Sequence, residues 1–156
     1  MQIVPMTAAC AADIVTWAYP PPYQCYDMTS ADPGFLISPD SGFRALIRDG
    51  ALIGFRSFGT DGQVPGGPYD AAALDTGGGL RPELTGQGLG RAAIEAGLAF
   101  GQREFAPLAF RVTVASCNLR ALRVLRALGF ADVTSFRAST GQSFQILVRP
   151  DQAGSR

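Results

Sequence analysis

A chain of 156 residues, 47% hydrophobic and 17% charged, suits one globular domain burying roughly 68–70% of its unfolded surface and leaves little room for a second. Its 13 basic and 13 acidic side chains cancel, which excludes a field that would draw it onto nucleic acid or an anionic membrane and leaves phosphate recognition to local groups. The absence of histidine removes the usual general base, the serine–histidine relay and the commonest metal ligand.

The N-terminus has neither the basic region nor the apolar core of a signal peptide, and the longest uncharged stretch, Ile14 to Tyr26, is broken by three prolines, so a soluble cytoplasmic protein is expected. Thr7 caps a helix of about ten residues ending near Trp17. The Tyr-Pro-Pro-Pro-Tyr-Gln-Cys-Tyr run at 19–26 cannot be regular and reads as an aromatic surface loop. Alternating apolar residues at 43–47 and 51–58, joined by Asp49-Gly50, read as a β-hairpin. A third strand is expected over 69–80, where Gly77-Gly78-Gly79 signals a bulge or a close backbone approach.

A helix over 88–104 carries Leu89, Ala92, Ala93, Ala96 and Phe100 as a core-facing stripe, and 108–115 reads as a buried strand. Asn118 opens a second helix with an apolar face of Ala121, Leu122, Leu125 and Leu128, which Gly129 closes. Strands at 130–138 and 143–149 follow, split by Thr140-Gly141, and Asp151 to Arg156 reads as a frayed tail. The sum is one α/β (α+β) domain over residues 1–150: a mixed sheet with helices on both faces. Cys10, Cys25 and Cys117 are odd in number and lack C-x-x-C spacing, so neither a disulfide framework nor a metal site is expected.

The segment with most chemical content is Arg81-Pro-Glu-Leu-Thr-Gly-Gln-Gly-Leu-Gly90. Glycines at 86, 88 and 90 let the backbone approach a ligand, and the following helix aims its unpaired N–H groups and positive dipole end at the same spot. An anion should bind there through main-chain amides. The match of Gly88-Leu-Gly90-Arg-Ala-Ala93 to a dinucleotide fingerprint lacks its context, with no second βαβ half and no acidic residue ending the next strand.

Two segments together resemble the GCN5-related N-acetyltransferase (GNAT) superfamily: Leu80 to Arg91, and Asn118-Leu-Arg-Ala121 running to Leu128-Gly129-Phe130. The resemblance implies a mostly antiparallel sheet whose splayed strand pair holds acetyl-CoA. Carried over by position, the pantetheine arm lies along main-chain groups of Gly78, Gly79 and Leu80. The pyrophosphate rests on amides of Gly86, Gln87, Gly88, Leu89, Gly90 and Arg91, and Asn118 bonds the arm from the far side. Thr85 offers a hydroxyl where the family has arginine or glutamine, with Arg81 and Arg91 as nearby charges. The implied reaction is direct transfer of the acetyl group to a small-molecule or peptide amine, with no metal, nucleic acid or membrane; a homodimer is compatible with it.

The tyrosine that commonly protonates the departing thiolate is replaced by Leu125, and the glutamate some relatives use as base falls at Thr113. Asp75 shares strand parity with Gly77 and Gly79, so it is the candidate base or amine holder; the alternative is a pairing role at the sheet surface. Glu83 reads as a solvated turn carboxylate, and Arg120, Arg123 and Arg126 as a solvated helix face; the alternative is that one of the three reaches the adenosine 3′-phosphate. Tyr19, Tyr23 and Tyr26 either line the acceptor pocket or pack the loop. The competing reading is a non-catalytic acyl-CoA-binding module that kept the cradle and lost its proton-transfer groups.

Overall fold

Alternation and turn chemistry build the first half of the sheet. β2 (Phe43–Arg48) and β3 (Ala51–Phe58) form the expected hairpin, with Asp49 and Gly50 at φ of 52° and 78° supplying the tight turn. The structure, a computed structural model, describes residues 1–150, so the expected tail lies outside the described residues. Seven strands run in the order β1-β2-β3-β4-β5-β7-β6, where β1 is Gln2–Pro5, β4 Leu74–Leu80, β5 Ala109–Ala115, β6 Ala131–Arg137 and β7 Ser143–Pro150. Among the described residues only the β4–β5 pair is parallel.

Sheet parity separates two helical layers. Phe55 packs with Ala11, Ile14, Trp17 and Leu36 under α1 (Ala8–Ile14) and α2 (Pro33–Leu36). On the opposite face Phe110, Val112 and Val114 pack with Leu98 of α3 (Gly90–Phe105) and with Leu122 and Leu125 of α4 (Leu119–Ala127). Each such leucine contributes about 1.5–3 kcal/mol of burial. No helix among the described residues is long and apolar enough to cross a membrane.

Helix ends follow their caps. Thr7 Oγ1 accepts from Cys10 N–H at 3.1 Å, and Asn118 Oδ1 accepts from Ala121 N–H at 3.2 Å. At the end of α4, Gly129 N–H donates to Arg126 C=O and Phe130 N–H to Leu125 C=O, both closing the last turn.

The expected strand over 69–80 is shorter than its apolar pattern suggested. Tyr69 turns inward, its hydroxyl accepting from Val64 N–H at 2.9 Å and meeting Thr113 Oγ1 at 2.8 Å, and Asp70 caps Ala72 N–H at 3.0 Å. Those bonds hold 69–73 out of the ladder, so β4 starts at Leu74. Conversely, β1 gave no sequence signal: a four-residue edge strand ending at Pro5 acquires its identity by pairing with β2.

Candidate functional site

β4 and β5 pair only at Leu74–Phe110 and Asp75–Arg111, and beyond those two rungs they diverge. The neighbouring ladders fix which main-chain groups face the gap. Arg81 N–H donates to Ile53 C=O at 2.8 Å, so on β4 the odd residues bond to β3 while Gly78 and Leu80 turn their N–H and C=O toward β5. Ser116 N–H donates to Ser143 C=O at 2.9 Å, which by the same alternation turns Ala115 N–H toward β4. The main-chain groups of Gly79, expected to face the cofactor arm, therefore belong to the β3 ladder; a side chain there would press on the Phe55 ring at 3.0 Å and Tyr19 Oη at 3.1 Å.

Asp75 requires a correction. It shares the face of Gly77 and Gly79, as parity required, but lies where the strands are still paired. Arg111 Nε and Nη2 each donate to it at 2.7 Å, and Gln63 Nε2 donates to Oδ2 at 2.9 Å. Only 3% of Asp75 is exposed, so its carboxylate cannot serve as a base for an entering amine. It clamps the closed end of the strand pair, with Asp70 as a second partner of Arg111 at 2.9 Å. The two carboxylates raise the Arg111 guanidinium further above its already high range.

At the far end of β4 the glycine turn has the expected form. Gly86 and Gly88 adopt φ of 74° and 81°, values a side chain disfavours. The amides of Gly86, Gln87, Gly88 and Leu89 donate to no protein acceptor among the described residues, and α3 starts at Gly90 without a side-chain cap. Gly90, Arg91 and Ala92 thus add the unpaired donors of a helix N-terminus. Gln87 Nε2 braces the turn on Glu83 C=O at 2.9 Å.

Three side chains expected near phosphate are otherwise engaged. Arg81 donates through Nε to Leu52 C=O at 3.1 Å and through Nη1 to Asp13 at 3.2 Å, and covers the Trp17 ring at 5.0 Å, so it anchors α1. That guanidinium holds Asp13 below the usual carboxylate range. Thr85 spends its hydroxyl proton on Pro82 C=O at 2.8 Å and its amide on the same carbonyl at 3.3 Å, leaving no donor for a phosphate. Arg91 pairs along the helix with Glu95 at 2.8 Å.

A cation that the sequence singled out only as one of three comes closer. The Arg120 guanidinium stacks 5.0 Å from the Tyr23 ring centroid, and its Nη1 lies 2.7 Å from where a Cβ on Gly86 would sit. It has no carboxylate partner among the described residues, whereas Arg126 is paired with Asp132 at 2.9 Å.

The aromatic loop spans the mouth of the cleft. Tyr19 Oη donates to Leu80 C=O on β4 at 2.6 Å, and Tyr26 Oη accepts from Ala115 N–H on β5 at 3.0 Å and from Asn118 Nδ2 at 3.1 Å. Asn118 is thus both helix cap and tyrosine partner. Leu125 is buried in the core cluster under α4, so the position where the resemblance expects a proton donor is packed with apolar side chains. Cys117 Sγ lies 3.8 Å from Pro22 C=O, against the same loop.

Burial, reinforced by Asp27 and Glu83, pushes the Tyr19 hydroxyl up to about 12. An acid raised on folding contributes stability that is complete below its unfolded value of about 10 and is lost as pH rises through about 12. Tyr19→Phe is therefore expected to flatten the decline in unfolding free energy across that window, measured by urea titration at a series of pH values.

Tyr26 and Arg120 escaped assignment because loop and helix-face residues acquire partners only in three dimensions; their signals were the aromatic spacing at 19–26 and the arginine triplet on α4.

Residues 11–130 match the model of the Acetyltransferase (GNAT) family. Among solved structures, the chain is similar to AAC(6')-Ib in complex with ribostamycin and coenzyme A, at 16% identity and a TM-score of 0.74, covering 99% of this chain and 96% of that one. It is similar to a spermidine N-acetyltransferase SpeG chimera from Vibrio cholerae and hSSAT, at 15% identity and a TM-score of 0.70, covering 96% of each chain. A GnaT-family acetyltransferase from Bordetella pertussis matches at 20% identity and a TM-score of 0.65, covering 94% of this chain and 93% of that one. No curated protein matches the sequence. With the family model spanning most of its length, the chain belongs to the Acetyltransferase (GNAT) family.

Proposed function

We propose that the chain is an N-acetyltransferase that transfers the acetyl group of acetyl-CoA to a primary amine by direct attack in a ternary complex. The observation that carries this reading is the run of main-chain groups left without a strand partner: those of Gly78, the N–H of Leu80, the amides of the turn from Gly86 to Leu89, and the first turn of α3. A peptide-like pantetheine arm fits a strand edge left open by a splayed neighbour, and a pyrophosphate fits amides at a helix N-terminus. A Cβ at Gly86 would intrude on that cradle.

When bound, acetyl-CoA supplies an activated acyl group on a thiol leaving group whose pKa is about 8.5. Leu80 N–H faces the gap and stabilises charge developing on the thioester oxygen, a contribution of roughly 3–4 kcal/mol for one well-placed donor. Arg120 provides the positive charge that Thr85 does not, reaching the phosphates from the opposite wall. Solvent takes the amine's proton, since Asp75 is committed to Arg111. AAC(6')-Ib with ribostamycin and the spermidine enzyme support a small polar amine as acceptor.

The test is thiol release from acetyl-CoA across a panel of amines, polyamines and aminosugars included. Release that depends on an acceptor is expected. Tight CoA binding without release under any acceptor would favour the acyl-CoA-binding module, which the buried Leu125 and the committed Asp75 support. Arg120→Ala is expected to weaken CoA binding about tenfold, one charge-assisted contact at a partly exposed site, and to reduce its salt dependence. Titration calorimetry at two salt concentrations checks both effects.

A further inference from the structure

The four tyrosines of the chain have different hydrogen-bond accounts. Tyr19 gives its proton to Leu80 C=O, and Tyr69 lies at the closed end, between Val64 N–H and Thr113. The Tyr23 ring lies under the Arg120 guanidinium. Tyr26 is unlike the others: its oxygen accepts from two N–H donors, Ala115 N at 3.0 Å and Asn118 Nδ2 at 3.1 Å. Both partners are donors only toward that oxygen, so the Tyr26 O–H proton is not spent on either, and no other acceptor meets it among the described residues.

Its position matters equally. Ala115 is the last residue of β5, and its N–H points into the gap where β4 and β5 have separated. Tyr26 therefore stands at the open end of the slot, opposite the free N–H of Leu80, with a proton still to give.

We propose that Tyr26 is the proton donor to the departing thiolate, the role that buried Leu125 cannot fill. The inference rests on the acetyl-transfer reading above. As the C–S bond breaks, its electron pair goes to sulfur; the Tyr26 O–H bond breaks and an S–H bond forms. The phenolate left behind is held by the Ala115 and Asn118 N–H groups and regains a proton from water, while the amine's surplus proton goes to solvent. Burial raises the Tyr26 hydroxyl and the same two N–H bonds oppose that rise, which keeps the proton in place at neutral pH yet stabilises the anion once it leaves.

The test uses the full chain with Tyr26→Phe, which keeps the ring and removes the proton. Circular dichroism and CoA affinity within about twofold of wild type are expected, with kcat reduced about 100-fold, the lower end for a lost general acid. The wild-type kcat should fall on the basic side of its pH profile, and that limb should be missing in Tyr26→Phe. Asn118→Ala, which removes one donor to the oxygen, should move the limb to higher pH. Equal kcat in Tyr26→Phe, an unchanged basic limb, or loss of kcat only in step with CoA affinity would overturn the assignment while leaving the acetyltransferase reading standing. A wild-type protein that binds CoA and transfers to no amine would overturn both.

Discussion

Gly86→Ala is expected to weaken CoA binding at least tenfold. The backbone at Gly86 sits at φ of 74°, where a side chain costs about 1–2 kcal/mol, and the new Cβ would meet Arg120 Nη1 at 2.7 Å. The exposed Arg120 side chain has room to swing aside; the cost falls on the proposed phosphate site it leaves and on amides that rotate as the turn relaxes. Each charge-assisted amide contact is worth about 1.5–3 kcal/mol, so one lost contact already gives roughly a tenfold effect or more. Gly141→Ala supplies the control. Gly141 has φ of 90° with nothing within 4 Å, so the backbone penalty is similar and no ligand group is disturbed. Calorimetry should show affinity lost in the first variant only, and thermal unfolding a similar loss of stability in both.

Arg111→Met is expected to destabilise the protein by about 3–5 kcal/mol, a large share of the roughly 5–15 kcal/mol that holds a domain of this kind folded. The side chain of Asp75 is 4% exposed, and without Arg111 its charge would be buried with one amide as partner. Asp75→Ala should cost less, because Arg111 keeps Asp70, whose own side chain is 71% exposed. Removing both partners should recover part of the loss, since the uncompensated carboxylate disappears. Urea titrations of the three variants check the order. The folded fraction of Asp75→Asn should retain acetyl transfer with whatever acceptor the wild type uses; abolished turnover with unchanged CoA affinity would return Asp75 to the role of base.

What the sequence made legible was local. The Asp49-Gly50 hairpin, the α4 stripe closed by Gly129 and the glycine turn depend on residues a few positions apart, where turn chemistry and periodicity act directly. The free amides of the glycine turn were legible for the same reason: a glycine turn entering a helix leaves amides free whatever surrounds it. Side-chain roles were not, because their partners are remote. Arg81 finds Asp13 68 residues away, and Arg111 finds Asp75 36 residues away, so two groups assigned to ligand or catalysis are consumed by the fold. Tyr26 is the converse case. It lies in a proline-rich loop with no periodicity, and only a bond spanning 89 residues brings it to the end of β5.

The central claim is that acetyl-CoA occupies the gap that opens between β4 and β5 beyond Asp75 and ends on the glycine turn. Titrating isotope-labelled protein with CoA and following backbone amide resonances tests it residue by residue. The expected result is a continuous set of perturbed amides at Gly78, Leu80 and Ala115, through Gly86 to Arg91, with Gly50 and Gly141 at the two hairpin turns unmoved. Perturbations centred away from that path, or none at saturating CoA, would contradict it.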